Sequence, residues 1–494
     1  MSELSVQRRT RRRWVQIQAR LEAGAGDRVI PLVIAVALTT VLALASLARL
    51  GSFDGGDDLA SYTQAVWLLS EGFQPEASLL GDGVHILELH WSFILYPVAG
   101  LGLIFPTTKM LVVIQSVALG LTVFPLWWLA RRVANLRVAA ASALVLAYAL
   151  HPATHRLAVD DFHPEVLAVP AMVALAYYGA SKRWIGYWIC VAIVLACRAD
   201  LGLAIGLWGF VLLGDGERRA GLWTLGVGLV WSLGLLLVVQ PLVGEAVVTG
   251  GQYGTYGDSL GEVVLNGARN PLDLLLDLTS RPNVVLVVAL FSPVLFLPLL
   301  SIRHLLPAVP LTGLFLIAET QGTGAFAERT SLLLAFTFIA APYALNRLGQ
   351  LGVQRVFVDG RLLATLAAAA ALSFVSASPL SLYDKPWSWG DPDDVEQAIL
   401  DAAELLPSDV AVRASPSALV SLAERPWLYP LATDREPSVQ FDAFDVRAIL
   451  VVDRDIPERT DERRDEFAAR MASLGGFELI VDDQENGVSL FLRP

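Results

Sequence analysis

Asp160, Asp161, His163 and Glu165 stand within six consecutive positions of the stretch VDDFHPEV (159–166), with long apolar runs on either side. Carboxylates and an imidazole at such spacing can move protons or ligate a cation. Oxygen ligands suit Mg2+ or Mn2+, and one imidazole moves the preference toward Mn2+. Asp161, His163 and Glu165 are therefore the candidate metal ligands, with Mg2+ or Mn2+ as the ion. Asp-x-His is a weak motif alone, and loops at a membrane surface hold Asp and His simply because water reaches them. It gains weight from a second acidic cluster, Asp54, Asp57 and Asp58 in FDGGDDLASYTQAVW, which also carries Gln64. Five of the six histidines, His85, His90, His151, His155 and His163, fall between residues 85 and 163. The short CRADLG segment adds Arg198 and Asp200, either an interfacial anchor with a helix N-cap or a partner for phosphate. Further along, Tyr253, Tyr256, Arg269, Arg281, Glu319, Glu328 and Arg329 complete the polar groups near span ends. No nucleophile elbow, Walker loop, HExxH or CxxC occurs, so hydrolase and NTPase chemistry has no support.

The elements that hold these residues are apolar. Of 494 residues 55% are hydrophobic and 17% charged, against about 45–50% and roughly 25% for soluble domains. Residues 378–494 contain 11 Lys and Arg against 24 Asp and Glu, a net of −13, while the whole chain is −12. An acidic tail thus follows a nearly neutral apolar body, and neither suits nucleic acid. Cys190 and Cys197 are seven residues apart, about 10.5 Å of helical rise and too far for a disulfide.

A span needs roughly 20 apolar residues. Candidate spans are 29–48, 108–130, 135–152, 164–181, 184–197, 200–214, 220–242, 283–300, 304–319, 328–346 and 361–377. With the basic RRTRRRW segment in the cytoplasm, eleven crossings place Arg131, Arg132, Arg137, Lys182, Arg183, Arg218, Arg219, Arg303 and the 347–361 loop inside, as the positive-inside rule expects. The loops 50–107, 153–163 and 243–282 and the tail then face outward. WSFILYPVAGLGLIF (91–105) is interrupted by Pro97 and is expected not to cross fully. Trp127, Trp128, Tyr177 and Tyr178 read as interfacial belt residues. The fold expected is an α-helical polytopic membrane protein with a basic N-terminus (1–28), a transmembrane domain (29–377) and a small α/β domain (378–494) outside a plasma membrane. In that domain DPDDVEQAILDAAELL and ERTDERRDEFAARMASLG read as helices, the second capped at Gly475-Gly476. AILVVD and FELIVDD read as strands.

DDLASYTQAVW resembles the Asp-Leu-x-x-x-x-Gln-x-x-Trp segment of the membrane family DUF2079. LHWSFILYPVAGL, DDFHPEVLAVP, CRADLGL, DVAVRASPSALVSLAERPWLYPL and DVRAILVVD follow in the family's order, over about residues 50–490. Ala199 stands where the family more often has Glu. The family is similar to the GT-C glycosyltransferases, which use a sugar carried on a polyprenyl phosphate at the outer membrane face. The resemblance implies a GT-C-like fold and Asp58 as base or metal-side acid, with Asp57 beside it. It also implies Asp161 and His163 as the second-loop pair, and Arg198 with Asp200 at the donor phosphate. Gln64, His90 and Arg329 are further pocket candidates. The implied partners are membrane lipid and a lipid-linked sugar. A transporter or scaffold for lipid-linked envelope intermediates is the non-enzymatic alternative.

Overall fold

The structure is a computed structural model that describes residues 21–52, 55–81, 84–239, 253–257, 260–319, 323–352, 355–431, 446–455 and 476–493. The RRTRRRW segment, Asp54 and the tail segment 458–475, which includes Gly475, lie outside the described residues.

The chain falls into two compact units. The first comprises residues 1–43, 115–158 and 164–384, and its described residues are helical apart from a two-stranded hairpin. Among the described residues six helices are long and apolar enough to cross a membrane: Gly26–Gly51, Thr107–Val133, Arg218–Val239, Leu297–Ile317, Phe326–Leu348 and Gly360–Ala377. Two bent pairs, Val138–Ala149 with Pro152–Val159 (43°) and Pro271–Leu278 with Arg281–Val294 (53°), pass the same test when each is taken as one span. Pro164–Ala180, Trp184–Cys197 and Leu201–Gly214 are shorter apolar helices. Ten of the eleven sequence segments fall on one of these helices or bent pairs, whereas 283–300 runs across a break at Leu295 and Phe296, between Arg281–Val294 and Leu297–Ile317; among the described residues six to eight spans have the required length and apolarity. The protein is an α-helical, multi-pass membrane protein.

Pro152 explains the first bend. It begins a helix well but cannot continue one. The freed backbone is braced by two histidines. His151 Nδ1 accepts from the Ala153 N–H at 3.1 Å, so its Nε2 donates to the Leu290 carbonyl at 3.0 Å. His155 joins the Ala149 carbonyl at 2.7 Å to the Ser378 hydroxyl at 2.8 Å. Both rings are buried and fully bonded, so part of the histidine clustering is structural.

The four aromatic residues assigned to a belt include core residues. Trp127 is buried and donates to Asp27 at 3.1 Å, and Tyr177 is buried with its ring 5.4 Å from Trp128. Buried Arg131 donates to Asp27 at 2.6 Å, to Glu22 at 3.1 Å and to the Leu136 carbonyl at 2.7 Å. Hydropathy could not separate these rings from belt residues, because their partners Asp27 and Tyr177 are distant in sequence. Cys190 and Cys197 are buried free thiols.

Helices Leu201–Gly214 and Arg218–Gly234 pack backbone to backbone. A Cβ at Gly228 would collide with Gly206 N and Gly202 O, and one at Gly209 with Gly221 O. Small residues permit such close approach between helices where no hydrophobic force drives them together.

The second unit comprises residues 44–114, 159–163 and 385–494. The expected boundary at 378 falls near its edge, but the 50–107 loop clusters with the tail. A five-stranded mixed sheet forms its centre. Strands Leu428–Pro430, Val412–Ala414 and Ala448–Val452 run parallel in that spatial order, and Val488–Leu492 and Glu478–Asp483 continue it antiparallel. Helix Asp394–Glu404 starts with a capping box between Asp393 and Glu396, which satisfies two otherwise orphaned amides. Its Ile399 and Ala402 meet Leu419, Leu450, Leu490 and Ala60 in one buried cluster. Ala60 brings helix Asp57–Ser70 into that core. Gln64 secures it, donating to Ser78 Oγ at 2.9 Å and to the Arg425 carbonyl at 3.2 Å. The 91–105 stretch yields an eight-residue helix, Leu95–Gly102, whose rise of about 12 Å is too short to cross.

Gly228→Leu should separate the close helix pair, at about 1–3 kcal/mol for overpacking. A thermal midpoint several degrees lower in detergent is the expected reading.

Candidate functional site

In the second unit, the first acidic segment meets the VDDFHPEV stretch. Helix Asp57–Ser70 has Gly56 at its N-cap with no side chain of its own to cap the amides. Asp161 fills that role from 105 residues away, Oδ1 accepting the Gly56 N–H at 2.8 Å. Only glycine fits at 56, because a Cβ there would strike the Asp161 carboxylate. Asp161 is 2% exposed, and the positive end of the helix dipole favours its charge and those of Asp57 and Asp58. Asp57 is open to solvent and Asp58 half-buried. Crowding by protein atoms, and then repulsion from Asp161, hold the Asp57 carboxyl above its ordinary range. Beside this pair, Asp160 is salt-bridged to Arg49 at 3.3 Å and Tyr62 packs edge-on to Phe162 with centroids 5.5 Å apart. The geometry joins two carboxylates of unequal exposure, an arrangement suited to general-base chemistry.

In the first unit, Glu165, Arg198, Asp200 and Glu328 form a separate ionic cluster. Arg198 is 3% exposed. Its Nε and Nη2 donate to the two Asp200 oxygens at 3.2 and 2.7 Å, and Nη1 donates to Glu328 at 2.9 Å and Glu165 at 3.4 Å. Its face lies over the Phe315 ring at 5.4 Å. Burial opposes the Arg198 charge, but Asp200, Glu165 and Glu328 outweigh it and raise the pKa above its usual value. Asp200 occupies an N-cap position without capping the helix, since its side chain is turned to Arg198. One cation among three carboxylates leaves the cluster anionic, so the expected contact of Arg198 and Asp200 with phosphate would require an anion to displace three others.

Next to this cluster lies an apolar cavity of about 740 Å3. Helices Leu260–Arg269, Pro271–Leu278 and Arg281–Phe291 and the 297–317 segment supply its walls, among them Val263, Leu274, Phe291, Leu305, Leu314 and Ile317. Phe315, between wall residues Leu314 and Leu316, is the ring over Arg198. Tyr253 packs with Tyr256, Val263 and Ala318 against Leu274, Leu314 and Ile317. Its hydroxyl pKa is pushed up to about 12, first by burial and then by Asp200 and Glu328. Tyr253 therefore packs beside residues of the cavity wall. Periodicity could not reveal this cavity, because lipid-facing and cavity-facing leucines read alike.

The remaining candidates have structural partners. Gln64 is buried in the clamp described above, its Oε1 also accepting from the Leu79 N–H at 3.4 Å. Arg329 donates to the Phe315 and Ala318 carbonyls at 3.0 and 2.9 Å. His90 ends the short helix Leu87–His90 and is half-buried. Glu165 faces Arg198 instead of joining Asp161 and His163 in a ligand set. Among the described residues no three His, Cys, Asp or Glu side chains gather closely enough to hold a metal. Arg156 attracted no notice in the sequence. It is exposed, 5.1 Å from the centre of the Phe326 ring, and no carboxylate among the described residues pairs with it.

Spans, cavity and appended sheet together define a membrane protein of GT-C-like fold. The chain is similar over its length to ArnT from Cupriavidus metallidurans. Against the crystal structure of ArnT bound to undecaprenyl phosphate the TM-score is 0.54 at 12% identity, covering 93% of this chain and 97% of that one. Against the apo state it is 0.55 at 13% identity with the same coverage. The apo oligosaccharyltransferase of Archaeoglobus fulgidus gives 0.47 at 14% identity, covering 84% of this chain and 69% of that one. A comparison with curated protein sequences finds no match. The chain belongs to the family described as predicted membrane protein (DUF2079), whose model matches residues 49–490.

Arg198→Met should leave buried Glu165 and partly buried Asp200 and Glu328 without their cation and destabilise by about 3–5 kcal/mol. Adding Glu165→Gln should recover part of that loss in the thermal midpoint, and an additive double variant would show the cluster to be uncoupled.

Proposed function

We propose that the protein is a glycosyltransferase that moves a sugar from a polyprenyl-phosphate donor to an acceptor outside the plasma membrane. The observation that carries this reading is the Gly56–Asp161 hydrogen bond, because it brings the two acidic segments of the second unit together. The GT-C-like fold supports it, as does an apolar cavity suited to a long hydrocarbon chain. ArnT, a protein of similar fold, has been crystallised with undecaprenyl phosphate.

In the proposed reaction Asp58 takes the proton of the acceptor hydroxyl. The acceptor oxygen forms a bond to the anomeric carbon of the sugar. The bond from that carbon to the phosphate oxygen breaks, and polyprenyl phosphate leaves with the electron pair. Asp57 supplies negative charge to the oxocarbenium-like transition state. Asp161 holds the start of helix Asp57–Ser70 and thereby places both carboxylates. Arg198 positions Asp200, Glu165 and Glu328 within the first unit. The donors Asp161, His163 and Glu165 do not form one ligand set, and no step is routed through a metal. In this reading the N-terminus is cytoplasmic and the 378–494 domain lies in the cell envelope.

Asp58→Asn, expressed in a deletion strain, should lower transfer by about 10²–10⁴-fold while the protein still reaches the membrane. Lipid-linked donor would then accumulate and one glycan would lack a residue. Full transfer by this variant removes Asp58 from the mechanism.

The pH dependence tests Asp57. A raised pKa means that Asp57 becomes charged only at higher pH, so transfer declines as pH falls through that raised value. Asp161→Asn removes the repulsion but keeps an oxygen to accept from Gly56. The acid limb of the rate profile should then move to lower pH, and an unmoved limb would show that Asp57 does not set it.

A further inference from the structure

We infer that Arg425 is an anion-binding residue of the second unit, and that it takes a phosphate or carboxylate group carried by the acceptor. This rests on the glycosyltransferase reading and names the class of acceptor within it.

The missing partner carries the argument. Arg425 is 7% exposed, and its Nη1 is buried with no hydrogen-bond partner. Its Nε is taken up, donating to the Leu422 carbonyl at 2.9 Å. Other buried arginines are compensated. Arg131 is paired with Asp27 and Glu22, Arg198 with three carboxylates, and Arg413 lies over the Tyr429 ring at 5.7 Å. Among the described residues Arg425 has no carboxylate within ion-pair distance and no ring against it. Glu424, its neighbour in sequence, is turned to helix Thr107–Leu121 instead, accepting from the Thr108 N–H at 3.3 Å. Burial lowers the Arg425 pKa to about 10, and no nearby charge raises it. A lone charge taken out of water is costly, so this guanidinium is one that an incoming anion completes. Ser421, Glu424 and Trp427 around it are exposed, which places it just beneath the surface.

The position of Arg425 says whose anion it is. Gln64 Nε2 donates to the Arg425 and Pro426 carbonyls at 3.2 and 3.3 Å. The short helix Leu419–Leu422 approaches the start of the helix that bears Gln64, since a Cβ at Gly55 would lie 2.9 Å from Val420 Cγ2. The segment 420–426 is thus held along helix Asp57–Ser70, whose first residues are Asp57 and Asp58. From Asp58 to Gln64 the helix rises about 9 Å. An acceptor whose hydroxyl meets Asp58 therefore reaches Arg425 within the length of a small saccharide. A guanidinium offers parallel N–H donors that match an oxyanion. The tail around it is acidic, with 11 Lys and Arg against 24 Asp and Glu over residues 378–494. It does not draw anions from a distance, so binding depends on contact with this one side chain.

Thermal midpoints of the full-length protein in nanodiscs test this with three probes: glucose phosphate, glucuronate and uncharged methyl glucoside. A ligand that binds only the folded state stabilises it. The charged probes should therefore raise the midpoint with saturation, and methyl glucoside should not. A shift with one charged probe alone supports the inference and identifies the group as phosphate or as carboxylate. Arg425→Met should abolish the shift. Without probe it should leave the midpoint unchanged or raise it, because an uncompensated buried charge is gone. Arg425→Lys keeps the charge but loses the fork, and should weaken binding of the charged probes about tenfold; it decides the matter should Arg425→Met not fold. Three results overturn the inference: no shift with either charged probe, an equal shift with methyl glucoside, or undiminished binding by the Arg425 variants. Each leaves the lipid-donor reading standing, since Arg425 takes no part in the chemistry at Asp58. That reading falls separately, if Asp58→Asn retains full transfer.

Discussion

A guanidinium enclosed by three carboxylates is the constraint on which the helical unit depends. Arg198 cannot be buried alone, since removing a single charge from water is far costlier than removing a paired one. Its three partners come from different places in the chain: Glu165 at the start of helix Pro164–Ala180, Asp200 two residues on, and Glu328 near the start of Phe326–Leu348. Satisfying one cation thus fixes where these helix ends meet. The Phe315 ring over Arg198 ties in a further segment, which is also a wall of the apolar cavity. Polar and apolar parts of this unit share one set of anchors.

The second unit uses a carboxylate differently. Asp161 is buried by accepting a backbone amide at a helix start, where the dipole favours its charge. That contact needs a residue with no side chain at 56, a requirement set by proximity alone. It also leaves Asp57 and Asp58 at the helix start with distinct exposures. Two carboxylates in different surroundings can take different protonation roles, the pattern found where acid and base chemistry coexist.

Much of the candidate site was legible in the residues themselves. The pairing of the 57–58 segment with Asp161 follows from two acidic clusters within apolar sequence, where charge is retained only for a reason. Roles for Gln64, Arg329 and two of the histidines were less legible. Gln64 bonds across 361 residues to the Arg425 carbonyl, and His151 reaches Leu290 across 139. A polar residue that clamps backbone and one that faces a ligand have the same local signature. Arg198 shows this most sharply: its type suits phosphate, yet its neighbours in space are anions.

Hydropathy and charge by themselves determined that this chain is a multi-pass helical membrane protein with an acidic mixed α/β tail, because the bilayer requires long uncharged helices and water requires charge. The family resemblance was likewise carried by local motifs. Tertiary structure alone decided that the 50–107 loop belongs with the tail and that Glu165 faces Arg198. It also decided that Tyr253 packs beside the wall of an apolar cavity. Those outcomes depend on which distant segments come within a few ångströms, and hydrogen bonds and ion pairs of such short reach leave no periodic trace along the chain.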